Sequence, residues 1–266
     1  MAQRRKRSLS PRKHGQGAVS IQILPITGLP EIREGDDLAR VILESTLRQR
    51  MEFQSGDVLV VAQKIVSKAE GRTMVLSAIR PSAQALQLAA QRKKDARLVE
   101  VILRESRRIV RTDPVLIVET HHGFVCANAG VDHSNVPGDE VVTLLPRDPD
   151  ESAWRLASEI RRATKKRVAV LISDTFGRPW RLGLSNVAIG ASGVPVLRDL
   201  RGMRDRHAKP LQATILAAAD DLTAAAGLVM GKSEGIPAVI VRGYRYRPAD
   251  ERATRIIRPA AEDLFR

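Results

Sequence analysis

Residues 149–175 read Pro-Asp-Glu-Ser-Ala-Trp-Arg-Leu-Ala-Ser-Glu-Ile-Arg-Arg-Ala-Thr-Lys-Lys-Arg-Val-Ala-Val-Leu-Ile-Ser-Asp-Thr, and two periodicities meet in them. Over 149–164 the apolar positions Ala153, Leu156, Ala157 and Ile160 recur at helical spacing, and Pro149 and Asp150 suit a helix start. Arg167–Ile172 then reads as a buried strand, with Val168–Ile172 an unbroken apolar run. Ser173-Asp174-Thr175 stands at its end, where catalytic groups often sit. A helix leading into a buried strand places the chain among the folds that mix helix and sheet.

The same alternation continues outward. Val19–Leu24 predicts a strand that meets Pro25 and enters the loop Pro25–Pro30. Asp36 and Asp37 suit the cap of a helix over about 37–51. Asp57–Gln63 is a second buried strand, Thr73–Ile79 a third, and 82–109 reads as helix in two pieces. Pro114–Thr120 and Phe124–Ala127 pair across the turn His121-His122-Gly123. Further strands are expected at Val141–Leu145, Leu184–Ile189 and Ala238–Val241. Gly177–Gly183 is expected as a loop, and a short strand and then a helix from about Asp220 within 212–230. Strands and helices do not alternate strictly, so the expected fold is α/β, of the α+β kind, with a mixed sheet and flanking helices.

Composition narrows the classes. The 266 residues are 43% hydrophobic, which is a folding composition, but only 3% aromatic, so Leu, Ile, Val and Ala must build the core. The net charge is +14, and six uncompensated basic residues lie within positions 1–14, leaving +8 for the remainder. A basic body suits anionic partners. Residues 1–17 read as a disordered basic tail, since no apolar stretch follows Arg4-Arg5-Lys6-Arg7 to make a signal peptide. No run approaches the ~18 apolar residues of a membrane helix. Cys126 is the single cysteine, which excludes an internal disulfide and fits a reducing cytoplasm.

Neither G-x-x-x-x-G-K-[ST] nor a G-x-G-x-x-G after a strand occurs. Asp132 and Asn135 share one polar loop, and Asp174 and Thr175 follow the most apolar strand. Two carboxylates, a hydroxyl and an amide make an oxygen-rich set for magnesium or manganese; the plainer alternative is that they form turns. Lys64 and Lys68, four apart after a buried strand, could reach phosphate oxygens as point cations, or belong to a solvated loop. Arg178 and Arg181 beside Asp174 offer planar forks to carboxylate or phosphate and are the candidate catalytic cations; surface ion pairs are the alternative. Cys126 reads as a small buried hydrophobe, Trp180 as a pocket wall or loop anchor, and His133 as a weak site candidate.

Five stretches, in this order, resemble the F420-0:gamma-glutamyl ligase family: Ile23–Pro30 (ILPITGLP), Gly56–Arg72 (GDVLVVAQKIVSKAEGR), Ala129–Asn135 (AGVDHSN), Ser173–Arg181 (SDTFGRPWR) and Lys232–Pro237 (KSEGIP). Together they span about 20–245. The resemblance implies a ligase domain over 18–248, followed by an Arg-rich extension over 249–266. It implies a two-lobed subunit without a P-loop, in an intertwined homodimer. Magnesium or manganese is implied as metal, GTP as co-substrate, with room for potassium. Carried over by position, Asp132, Asp174 and Thr175 would hold the metal. Leu29, Pro30, Glu31, Ile32, Gln63, Lys68 and Asn135 would contact the nucleotide, and the 231–237 loop, with Ser233 and Gly235, would close on it. Glu234 is the metal ligand that chemistry favours in that loop. The implied reaction activates the terminal carboxylate of F420-0, a phosphorylated deazaflavin, as an acyl phosphate, which the amine of L-glutamate then attacks, with gamma-linked additions to follow.

Three features depart from the family pattern: the basic N-terminal tail, Leu182 and Leu184 where relatives are more polar, and no flavin-reductase-like domain following. Another nucleotide-dependent carboxylate–amine ligase with a different acceptor would carry the same loops. A nucleic-acid-binding protein is the competing class; it draws on +14, but scarce aromatics and the acidic loops weigh against it.

Overall fold

In the computed structural model, residues 20–133, 138 and 140–263 are described. The basic tail expected over 1–17 and Asn135 lie outside them.

The first strand, β1 (Gln22–Ile26), runs through Pro25 and does not stop at it. It is the edge of a five-stranded sheet, paired on one side only, and an edge strand tolerates the missing N–H. Helix α1 (Leu38–Arg48) starts where Asp37 accepts the amide of Arg40. Strand β2 (Val58–Ala62) passes without a loop into helix α2 (Gln63–Ala69); the basic loop expected there is helical.

A second unit follows. Strand β3 (Thr73–Val75) ends early in a 3-10 turn at Leu76–Ala78, shorter than the strand expected over 73–79. Helices α3 (Ala83–Arg92) and α4 (Ala96–Arg104) are capped by Ser82 and Asp95. Helix was expected to 109, but Ser106–Arg111 forms strand β4, which pairs with β5 (Ile117–Thr120). The β5 strand pairs with β6 (Val125–Ala127) across the His121-His122-Gly123 turn. Strand β7 (Val141–Thr143) returns to β3. These elements enclose their own apolar cluster, built on Leu76, Val99, Ile102, Val118, Val142 and Leu144.

Helix α5 (Pro149–Thr164) has the expected bounds, with Asp148 as its cap. Strands β8 (Ala169–Arg178) and β9 (Arg181–Ser192) form one long hairpin. The expected loop at 177–183 is the tip of that hairpin, with only Pro179 and Trp180 between the strands. The pair β10 (Arg198–Asp199) and β11 (Ile215–Leu216) precedes helix α6 (Ala218–Met230) and strand β12 (Ala238–Arg242).

The main sheet has the order β1-β12-β2-β8-β9. Only β2 and β8 are parallel; the other pairs are antiparallel, so the sheet is mixed as expected. Helices α1 and α5 cover one face and α6 the other. A side chain on Gly190 would collide with Pro149 of α5, and one on Gly227 of α6 would press on Asn186 of β9, so the helices sit close to the sheet. Val58–Val61 and Val170–Ile172 are fully buried, in keeping with their unbroken apolar runs. Residues 251–257 fold back onto this core. Ala253 is buried, its amide donates 2.8 Å to Asp150 Oδ1, and Glu251 accepts the amide of Val196.

Candidate active site

The parallel register of β2 and β8 sets Ala62 beside Ser173, so both strands end at one place. That end opens into a cavity of about 300 Å3 walled by four separate stretches: 29–32, 62–68, 173–175 and 230–237, with Asp132 and Asn186 added. Ligands in open α/β sheets bind at the carboxyl ends of parallel strands.

Two lysines enter from α2. One helical turn apart, they share a face. The Lys64 ammonium donates 2.8 Å to Asp132 Oδ2, and that of Lys68, itself buried, donates 2.5 Å to Glu31 Oε1. A buried ammonium is costly without an acid beside it. Gln63, also buried, accepts the Ser67 hydroxyl at 2.8 Å. Leu29–Ile32 follows β1, and Ile32 is anchored in the core.

Asp132 is held by backbone. It exchanges N–H···O bonds with Thr143 at 3.1 and 2.9 Å. Asp174 is not in a loop, as expected, but inside β8, where hairpin pairing with Val187 fixes it. Its carboxyl is pushed up to about 6, first by burial and then by the charge of Asp132; the Thr175 amide and the ammoniums of Lys232 and Lys64 work the other way. Thr175 follows it in β8 and also lines the cavity. Its hydroxyl donates 3.0 Å to Asn186 Oδ1 and accepts 2.7 Å from the Lys232 ammonium.

Among the described residues no three His, Cys, Asp or Glu side chains cluster. Two carboxylates and a hydroxyl at the cavity still fit a hard divalent cation, which fills its remaining positions with water and substrate phosphates. The repulsion felt at Asp174 from Asp132, offset by the Thr175 amide and lysine ammoniums, is the kind of charge imbalance such a cation relieves.

The closing loop behaves otherwise than expected at one position. Lys232, Ser233 and Gly235 line the cavity. Glu234 does not: its carboxylate turns back to accept the amides of Lys232 and Ser233 at 2.7 and 2.8 Å. Those amides hold it below the usual carboxylate range. Gly231 permits this fold-back, because a side chain there would occupy the Glu234 carboxylate position. Glu234 is thus a loop brace here and not among the groups facing the cavity.

Arg178 and Arg181 are not brought to the site either. Both sit at the exposed end of the hairpin, and Arg178 donates 3.0 Å to the Leu182 carbonyl. Trp180 is 85% exposed and is not among the residues lining the cavity. His122 shares the carbonyls of Pro146 and Arg147, and His133 is exposed. Cys126 is buried, with its thiol pushed up to about 12 by burial, as a structural cysteine should be.

Asn186 and Lys232 were not singled out from the sequence. Lys232 lies within a quoted motif and could have been noticed. Asn186 has no local signal, since only the pairing of Thr175 with Asn186 brings it to the site.

Residues 27–243 match the F420-0:gamma-glutamyl ligase family. A protein of Methanothermobacter thermautotrophicus named Coenzyme F420:L-glutamate ligase is 45% identical over 252 residues, covering 93% of this chain and 100% of its own length. A Methanopyrus kandleri protein of the same name is 48% identical over 94% of this chain and 99% of its own. One from Archaeoglobus fulgidus is 42% identical over 92% and 96%.

Proposed function

The chain belongs to the F420-0:gamma-glutamyl ligase family, is a ligase, and on that premise we propose that it joins L-glutamate to F420-0 using GTP and magnesium or manganese. The observation that carries this reading is the convergence of Asp132 and Asp174 with Lys64, Lys68 and Lys232 at the shared end of β2 and β8. Three ammoniums answer the charges of a triphosphate and a carboxylate brought together.

A carboxylate is a poor acyl donor. One oxygen of the F420-0 carboxylate attacks the γ-phosphorus of GTP, and GDP departs. The glutamate amine then attacks the acyl carbon, loses a proton, and phosphate leaves with the C–O electron pair. Lys68 and Lys64, on one helical face, bind phosphate oxygens, and each must exchange its present carboxylate partner for the nucleotide. Lys232 spans from the Thr175 hydroxyl to the cavity mouth and draws the 231–235 loop over the bound phosphates. Asp132, Asp174 and Thr175 would hold the divalent ion, which when bound would supply charge neutralisation for phosphoryl transfer. Leu29–Ile32 and Gln63 border the nucleotide. Further gamma-linked additions use the same steps on the new terminal carboxylate, and potassium is a candidate additional cation.

The subunit is proposed to work as a homodimer. Trp180, Leu182 and Leu184 at the hairpin tip are 85%, 99% and 65% exposed, an apolar projection of the kind that packs on another chain. Among the described residues no helix is long and apolar enough to cross a membrane, and the lone cysteine suits the cytoplasm.

The deciding assay combines purified protein, F420-0, glutamate, divalent metal, and GTP or ATP, with products read by mass. Glutamate addition requiring GTP and metal is expected. Metal-dependent GTP binding without product would assign a different acceptor, and no nucleotide binding would overturn the reading.

A further inference from the structure

A second cavity, of about 240 Å3, lies beside the first. Phe124, Phe176, Val187, Ile256 and Ile257 wall it, and Asp220, Arg258 and Asp263 also line it. Its connection to the site is set by strand register. Val187 is the cross-strand partner of Asp174, and Phe176, two residues on, presents its side chain to the same face about 7 Å away. Phe124, on the β5–β6 turn of the second unit, meets Phe176 edge to face, with ring centroids 6.5 Å apart. Gly123, at φ +94°, makes that turn, and a side chain on it would press on Ile257.

The lining sorts the ligands. Phosphates and glutamate would lose hydration among five apolar walls and meet the carboxylates of Asp220 and Asp263. The volume is below that of a pocket for a whole drug-sized ligand, so it suits part of one. A flat, fused aromatic ring joined by a polar chain to the reacting carboxylate matches both limits: the ring is held against Phe124 and Phe176, and the chain leads past Val187 to Asp174.

We infer that this cavity seats the ring of the acceptor, so the β5–β6 turn of the second unit and the returning C-terminal segment together select acceptors that carry an aromatic ring system. The inference rests on the proposed F420-0 ligase activity and adds to it where the acceptor lies.

Fluorescence titration of F420-0 tests it, with wild type, Ile257→Trp to fill the cavity and Ile257→Ala to loosen it, each alongside a GTP titration. The acceptor Kd should rise about tenfold in Ile257→Trp and by a smaller factor in Ile257→Ala, with the GTP Kd held within about twofold. A deazaflavin ring lacking the phosphate chain should compete with F420-0 in wild type and not in Ile257→Trp. Equal acceptor affinity in all three proteins would overturn the inference and leave the ligase reading standing. Wild type that neither binds nor extends F420-0 would overturn that reading and the inference with it. Should Ile257→Trp lose GTP binding as well, Ile257→Ala decides: unchanged acceptor affinity there overturns the inference.

Discussion

Asp174 and Arg178 lie on one strand, about 13 Å apart, in a stretch that looks uniformly site-like in sequence. Asp174 sits one residue past the last β2–β8 pair, Ala62 with Ser173, and faces a cavity with Asp132 and three lysines. Arg178 lies where β8 has left the sheet with only β9 for company, and its guanidinium is spent on the hairpin's own carbonyl. Charged residues at equal distance from a motif thus differ in role because one is held by neighbours from four segments and the other by a two-stranded ribbon. Confinement raises the electrostatic stakes of the first and lets solvent screen the second.

This contrast can be broken by experiment. The largest expected effect is on the inner half: Asp174→Asn should lower kcat by about 10²-fold or more, since it removes charge from the phosphoryl-transfer centre, while circular dichroism stays native. Retained turnover would dissolve the contrast. Next, Lys68→Ala should weaken GTP binding by about tenfold or more, read by calorimetry, because it removes a buried cation; an unchanged Kd would return Lys68 to a structural pairing with Glu31.

The third effect is on stability. Asp174 titrates near 6 in the folded chain, above the roughly 3.9 of an unfolded one. The folded state therefore holds its proton more tightly, and ionising it costs folding free energy as pH rises from about 4 to about 6. Without metal, Asp174→Asn should be more stable than wild type by about 2–3 kcal/mol above pH 6.5. Near pH 4 the two should unfold alike. Thermal melts across that range check this, and added magnesium should narrow the gap at high pH by stabilising wild type alone.

Smaller effects belong to the outer half. Leu182→Glu should shift sedimentation from dimer toward monomer with the fold intact, as a charge in an apolar contact would; an unaltered sedimentation coefficient would separate the hairpin from assembly. Arg178→Ala should change kcat less than about threefold. A large loss would mean that the tip reaches a second subunit's cavity.

Sequence pattern alone carried the mixed architecture and the bounds of α5, and it raised Asp132, Asp174 and the two α2 lysines as candidates with turns and a solvated loop as the alternatives. These are local matters: apolar periodicity, cap residues and the polar ends of buried strands all act over a few residues. Pro25 misled because its cost depends on whether a strand is an edge, and β1 is one. Gly177–Gly183 misled because glycine and proline mark a loop and a hairpin tip alike, and only pairing with β9 tells them apart. Glu234 and the arginines had the right chemistry, but direction is a tertiary property: amides of its own loop capture Glu234, and the hairpin carries Arg178 and Arg181 outward. Asn186 reaches the site solely through cross-strand register, and the second cavity exists only where three distant segments meet. What the chain can bind follows from residue types that sequence shows directly; which of those groups face one another is settled by long-range packing, which no local pattern encodes.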